Sequence, residues 1–157
     1  MPARHWLLKT EPSTYSIDDL AKDGVTTWEG IRNAVARNHL RAMRVQDLAL
    51  VWHSSAKVVG VAGLARIVRE AYPDTFAADP TSPYFDPATD PAAPRWVMVD
   101  VELVEAFPVV LTIAAIKATR ELADMVVVRN SRLSVQPVLS AEYRRVVAMC
   151  RALARGV

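Results

Sequence analysis

Apolar positions along this chain follow two periods, and each marks a kind of element. Leu48-Ala49-Leu50-Val51-Trp52 is an unbroken apolar run between Asp47 and His53, as in a strand buried on both faces. Trp96 to Val104 alternates instead. Val97, Val99, Val101 and Leu103 fall on one side, and Trp96, Met98, Asp100, Glu102 and Val104 on the other. That period predicts a strand with one inward face. His5 to Thr10 reads as a first strand, closed by Pro12. Val58 to Val68 is a further strand, joined to the 47–53 run by a loop short enough for an antiparallel hairpin. Gly60 and Gly63 inside it predict bending or a close backbone approach. Met125 to Val128 reads as a short strand.

Helical spacing appears elsewhere. Ser16 is placed as an N-cap, with Asp18 and Asp19 in the first turn, Ile17, Leu20 and Ala21 as the apolar edge, and Gly24 as the stop. Asn33 to Met43 predicts a second helix, with Val35, Ala36, Leu40 and Met43 as its buried stripe. Thr112 to Ala123 suits one or two short helices. Ser140 opens a last amphipathic helix, with Tyr143, Val146, Val147, Cys150 and Leu153 on one face. Residues 72–95 hold six of the ten prolines, so this stretch cannot be a helix. A loop that long usually serves a function or a partner surface, with Tyr84 and Phe85 pinning it to the body. The simplest architecture is α+β: a small, bent antiparallel sheet or barrel with helices packed at its ends.

Composition narrows the class. At 157 residues, 52% hydrophobic and 23% charged, the chain is one globular domain with a sizeable core. No apolar run approaches a membrane span, and no signal-peptide pattern precedes the first strand. The single cysteine, Cys150, allows no internal disulfide, and a reducing cytoplasm is the expected location. A net charge of +2 is too small for indiscriminate coating of nucleic acid. The distribution is uneven: residues 70–105 carry −7, residues 28–45 carry +3 and residues 120–157 carry +4. Arg37, Arg41 and Arg44 fall at i, i+4 and i+7, either a solvated helix face or a row for phosphates.

Candidate chemistry clusters at a few places. Thr27-Trp28-Glu29-Gly30-Ile31-Arg32-Asn33 sets a flat π face beside a glycine that permits close approach, a guanidinium and an amide edge. It suits a pocket for a flat polar molecule such as a nucleobase, or a turn whose tryptophan plugs the core. Lys9, Thr10 and Glu11 end a strand beside a proline turn; such a set can bind, or do acid–base work. His53-Ser54 is either a base beside its nucleophile or a polar strand end. Three histidines and one cysteine give no metal-ligand spacing, and no Gly-rich loop precedes a helix, so neither a metal nor a nucleotide cofactor is expected.

Several segments together resemble the EVE domain, a PUA-like family. They are Trp6-Leu7-Leu8-Lys9-Thr10-Glu11-Pro12 with Tyr15-Ser16-Ile17-Asp18-Asp19-Leu20, Trp28-Glu29-Gly30-Ile31-Arg32-Asn33 with Ala36-Arg37-Asn38, and Val51-Trp52-His53-Ser54. Gly60-Val61-Ala62-Gly63, Tyr72-Pro73-Asp74, Tyr84-Phe85-Asp86-Pro87, Pro94-Arg95-Trp96 and Arg132-Leu133-Ser134-Val135-Gln136-Pro137-Val138 follow in family order. The resemblance implies a single PUA-like domain, a bent barrel flanked by helices, similar to YTH and ASCH domains. It implies a non-catalytic module that binds nucleic acid carrying a modified base, a modified cytosine in DNA first and RNA second. By position the base pocket would use Lys9, Thr10, Glu11, Trp28, Gly30, Arg32, Asn33, His53, Ser54, Ser134 and Gln136. Trp28 would stack on the base, and Arg37, Arg41, Arg144 and Arg151 would meet phosphates. The alternative is an ASCH-like amidohydrolase acting on modified cytidine through Lys9, Thr10 and Glu11. A third reading is an interaction module whose loop 72–95 binds protein.

Overall fold

The computed structural model describes residues 2–157. Six strands, β1 (His5–Thr10), β2 (Val25–Trp28), β3 (Leu48–His53), β4 (Gly60–Pro73), β5 (Val97–Thr112) and β6 (Val135–Val138), form one sheet in the order β2-β5-β4-β3-β1-β6. Five helices surround it: α1 (Ile17–Asp23), α2 (Ala34–Ala42), α3 (Ile113–Lys117), α4 (Val126–Arg129) and α5 (Ser140–Arg155). The α+β class is the expected one. All neighbours run antiparallel except β1 and β3, which pair in parallel from His5↔Leu48 to Thr10↔His53. The intervening α1, β2 and α2 make the crossover that a parallel pair requires.

Strand alternation sorts the core into two layers. Trp6 and Leu8 of β1, Trp28 of β2, Val51 of β3, Ile67 of β4, Val99 and Val101 of β5 and Val135 of β6 share one buried cluster. The sheet also curls, since Trp28 on the edge strand β2 lines the same cavity as Lys9 of β1 and Ser134 just before β6, at the opposite edge of the strand order. Ile17 and Leu20 of α1 and Ala36 and Leu40 of α2 belong to the same cluster. The outer face, with Leu7, Leu50, Leu64, Phe107 and Leu111, packs against Ile116 of α3, Val127 of α4 and Val146, Val147 and Cys150 of α5.

Curling needs local breaks in register. The β4–β5 ladder shifts between Val61/Gly63, Leu64/Ala65, Ile67/Arg69 and Arg69/Tyr72, and β3–β4 shifts between Val51/Trp52. Each irregularity bends the strand and adds twist. At Gly60 a Cβ would sit 1.9 Å from the Leu111 carbonyl oxygen, and at Gly63 2.4 Å from Ile17 Cδ1. Both glycines therefore mark close approach, as their place in the strand predicts.

Several local expectations need correction. Residues 125–128 do not form a strand; Val126–Arg129 make one helical turn, in which the Val128 and Arg129 N–H groups donate to the Met125 carbonyl and the Asn130 N–H to that of Val126, so the backbone bonds locally instead of joining a ladder. The strand expected over 96–104 continues through Pro108 to Thr112, and Val25–Trp28 is itself a strand on the β5 edge. Val35 is 53% exposed and Leu153 is exposed too, so neither belongs to its helix's buried stripe. Leu139, not Ser140, caps α5; the Glu142 carboxylate accepts from its N–H at 2.9 Å. Ser16 caps α1 reciprocally with Asp19.

Because Gly60 faces backbone rather than a movable side chain, Gly60→Ala should cost about 1–3 kcal/mol of stability. Urea unfolding should show a lower midpoint at unchanged slope.

Candidate functional site

The pocket is built on a carboxylate. Asp74 follows the end of β4, and its side chain is 0% exposed. Its Oδ2 accepts from the Gly30 N–H at 3.0 Å and from Arg32 Nη1 at 2.9 Å, while Oδ1 accepts from the Phe76 N–H at 2.9 Å. Arg32 then reaches on: Nε and Nη2 donate to the Tyr84 carbonyl at 3.2 and 2.6 Å, and Nη1 to the Ile31 carbonyl. These bonds tie the segment after β2 to the proline-rich loop. Gly30 has φ +85 and lies under the Tyr84 ring, where a Cβ would be 2.7 Å from Tyr84 Cε1. A side chain there would suffer both strain and collision.

In front of this frame lies an open cavity of about 740 Å³. Lys9, Thr10, Glu11, Trp28, Gly30, Arg32, Ser54 and Ser134 all line it. The other three residues expected there lie elsewhere. Asn33 caps α2, its Oδ1 accepting from the Ala36 N–H at 3.0 Å. His53 is buried at the end of β3, and its Nε2 accepts from the Ile17 N–H at 3.0 Å. Gln136 is buried and donates to the Asn130 and Leu133 carbonyls, so it shapes the turn before β6 from inside. Sequence position alone could not separate such support from lining, because adjacent strand residues face opposite ways.

The cavity also holds residues the motif reading missed, including Tyr15, Tyr84, Thr27, Glu29, Ser55 and Arg132. Tyr15 stands edge-on to Trp28, with ring centroids 6.4 Å apart at 90°. Trp28 is 6% exposed and also belongs to the inner core, so it offers only a limited surface. Tyr84 had a signal in the sequence, as an aromatic in a proline-rich loop; Phe85 beside it is 40% exposed and belongs to neither core cluster. Burial pushes the Tyr15 phenol up to about 12. Burial first, then the Glu29 carboxylate, raises that of Tyr84. Burial also lowers Lys9, whose Nζ donates to the Ser131 carbonyl at 2.6 Å. Thr10 Oγ1 donates to the Tyr15 carbonyl at 2.7 Å.

The four arginines expected on phosphates divide between two faces. Arg41 is exposed on α2. Arg37 donates to the Arg95 carbonyl at 3.4 Å, and the guanidinium groups of both lie over the Trp96 ring, at 5.5 and 5.2 Å. Arg144 and Arg151 are on α5, across the sheet, and line a separate cavity of about 380 Å³ with Arg66 and Tyr143. Arg151 is paired with Glu105 at 2.9 Å, and Arg144 donates to Ser140 Oγ. The two basic segments therefore do not meet on one side. Among the described residues no group of three or more His, Cys, Asp or Glu comes together, and no helix is long and apolar enough to cross a membrane.

Two mutations test this frame. Asp74→Ala leaves Arg32 partly buried and unpaired, and should cost about 3–5 kcal/mol in thermal or urea unfolding. The second concerns His53. Burial lowers its imidazole below the ordinary value, opposed by Asp18. The unfolded chain therefore binds a proton first as pH falls below about 6.5. Stability present above that pH should be lost as pH falls toward the lowered folded value. His53→Gln, whose amide oxygen can accept from Ile17, should flatten that loss when unfolding is compared at about pH 7.5 and 5.5.

Similarity to known proteins agrees with this architecture. A Leishmania major structure, described as a hypothetical protein, is 47% identical, with a TM-score of 0.95 over 97% of each chain. The human THYN1 protein, crystallised in complex with 5-methylcytosine-containing DNA, is 36% identical, with a TM-score of 0.89 over 94% of this chain and 97% of that one. Thymocyte nuclear protein 1 of Homo sapiens is 36% identical over 92% of this chain and 73% of its own length. Such relatives are named as nuclear, which overturns the expectation of a cytoplasmic location. An ASCH structure from Zymomonas mobilis is 11% identical with a TM-score of 0.56, a likeness of fold alone. The family model described as EVE domain matches residues 4–149, and the chain belongs to the EVE domain family.

Proposed function

We propose that this chain is a non-catalytic nucleic-acid-binding module that takes a modified base, a modified cytosine in DNA first, into the Trp28 cavity. The observation that carries the reading is the composition of that cavity's walls. Trp28, Tyr15 and Tyr84 bring aromatic surface to one space, and Thr10, Thr27, Ser54 and Ser134 bring hydroxyls. Aromatic faces suit any base, and hydrogen-bonding groups sort one base edge from another. A base lying flat on Trp28 would present its edge to Tyr15, since the two rings are perpendicular. The human relative's complex with 5-methylcytosine DNA supports the same partner class.

The amidohydrolase reading has less behind it. Thr10 gives its hydroxyl proton to a backbone carbonyl and Lys9 donates to another, so neither is aimed at the other as nucleophile and base. Phosphates would run past Arg37, Arg95 and Arg41, on the pocket's side of the sheet. Arg144 and Arg151 would be left out of that path.

Stacking and phosphate contact should separate experimentally. Trp28→Leu keeps apolar bulk in the core but removes the flat face. It should weaken binding of a 5-methylcytosine nucleoside and of an oligonucleotide carrying it by a similar amount, about 1–3 kcal/mol. Arg37→Ala should leave nucleoside binding unchanged and reduce the oligonucleotide's salt slope by about one unit. Calorimetry across a salt series reads both. Full binding by Trp28→Leu would show that this tryptophan is core only.

A further inference from the structure

A reader of bases needs a group that tells one base edge from another, and the cavity holds a candidate fixed in place. Glu29 lines it directly after Trp28. Thr27 Oγ1 donates to Glu29 Oε2 at 2.7 Å. One carboxylate oxygen is therefore held, and no donor among the described residues is bonded to the other. Two of the cavity's three cations are occupied, and the third, Arg132, is exposed on the far turn before β6. Arg32 is bound to Asp74 and to the carbonyls of Ile31 and Tyr84, and Lys9 to the carbonyl of Ser131. The cavity's other free carboxylate, Glu11, is exposed, and no hydrogen bond holds its side chain. The raised phenol of Tyr84 is a second sign that the Glu29 charge stands at this wall.

We infer that Glu29 is the specificity-determining residue of the base pocket: its free oxygen accepts from an exocyclic amino group, so that an amino-bearing pyrimidine edge is favoured over a keto edge. The inference rests on the base-binding reading above and goes beyond it by naming the edge read. The chemistry is one of sign. Cytosine turns the N4 amino donor toward such a carboxylate, whereas thymine turns the O4 acceptor toward it. A carboxylate facing O4 has two acceptors and no proton between them, and its desolvation goes uncompensated. Thr27 could donate to O4 only by giving up its bond to Glu29.

The test uses two single-stranded oligonucleotides identical except at one position, which holds 5-methylcytosine or thymine. Both bases carry the C5 methyl, so they differ only in the amino or keto edge and in the N3 proton. The full chain should bind the 5-methylcytosine strand at least about tenfold more tightly. Glu29→Gln keeps the shape but can turn an amide N–H into the cavity, so it should erase or invert the preference. Thr27→Val keeps the charge but frees the carboxylate, so it should shrink the preference. Unchanged thermal unfolding of both variants keeps the comparison about binding. Equal affinity of the parent for both strands would overturn this inference and leave the base-binding reading intact. Preference undiminished in Glu29→Gln would overturn the assignment to Glu29. Binding of neither strand would overturn both readings.

Discussion

Asp74 is the point on which the site's geometry depends. A carboxylate with no exposed surface is costly unless its charge is paired and both oxygens accept hydrogen bonds. Here Gly30, Arg32 and Phe76 provide them. The consequence reaches both ways along the chain. Arg32, held by Asp74, grips the Tyr84 carbonyl and brings that ring over Gly30. Only a glycine with positive φ leaves room for it. One buried acid thus decides where the segment after β2 runs, where the proline-rich loop docks and which aromatic closes the pocket. Arg32 looks in sequence like a group offered to a ligand, yet its donors already serve this frame.

The sheet decides which segments can contribute. β1 and β3 run in parallel, so Lys9 and Thr10 at the end of one lie beside the Ser54 turn at the end of the other. The Ser54 N–H donates to the Thr10 carbonyl at 2.9 Å and joins the two. β6 runs antiparallel to β1, so the turn leading into it arrives at the same end, where the Lys9 N–H donates to the Ser134 carbonyl. β2 belongs to the opposite edge of the strand order, yet its Trp28 lines the same cavity. Curling makes this possible, and the close approaches at Gly60 and Gly63 make the curling possible. The pocket is therefore a product of barrel-like closure, assembled from segments far apart in the chain.

Much of this was legible in the chain itself. The 47–53 run, the alternation from Val97 and the Ser16 cap depend on local pattern and became elements at the expected places. Patterns failed where tertiary demand outweighed local preference. Met125-Val126-Val127-Val128 has strand composition, but no strand of the sheet takes it as a neighbour, and its backbone is satisfied within a helical turn instead. In the site, residue type identified the neighbourhood better than the role. Trp28, Gly30 and Lys9 reach the cavity, while Asn33, His53 and Gln136 stand one layer back and hold backbone. The missed contributors, Tyr15 and Tyr84, share no periodicity with Trp28, while Glu29 lay inside the Thr27–Asn33 stretch without a role assigned to it. Only the tertiary fold brings them together.

Charge is the last case where fold changes the meaning of sequence. The −7 carried by residues 70–105 reads as a repulsive acidic surface. In the fold each of its eight acids has an internal partner. Glu70 meets Arg44, Asp74 meets Arg32, Glu102 meets Arg66 and Glu105 meets Arg151. Asp79 and Asp90 accept from loop N–H groups, Asp86 from the Trp96 indole and Asp100 from the Tyr72 hydroxyl. Asp74, Asp79, Asp86 and Asp90 hold a proline-rich loop that has few ladder bonds of its own, and four of the eight charges are met by arginines within the molecule. The same accounting draws Arg44, Arg66 and Arg151 out of the pool of free cations, leaving Arg41, and Arg37 and Arg95 around Trp96, on the pocket's side. A chain of nearly balanced charge can in this way present a modest basic rim beside a pocket that Glu11 and Glu29 line together with Lys9, Arg32 and Arg132. Phosphate would then be favoured at the rim, where Arg41, Arg95 and Arg132 are exposed, while the base enters the pocket.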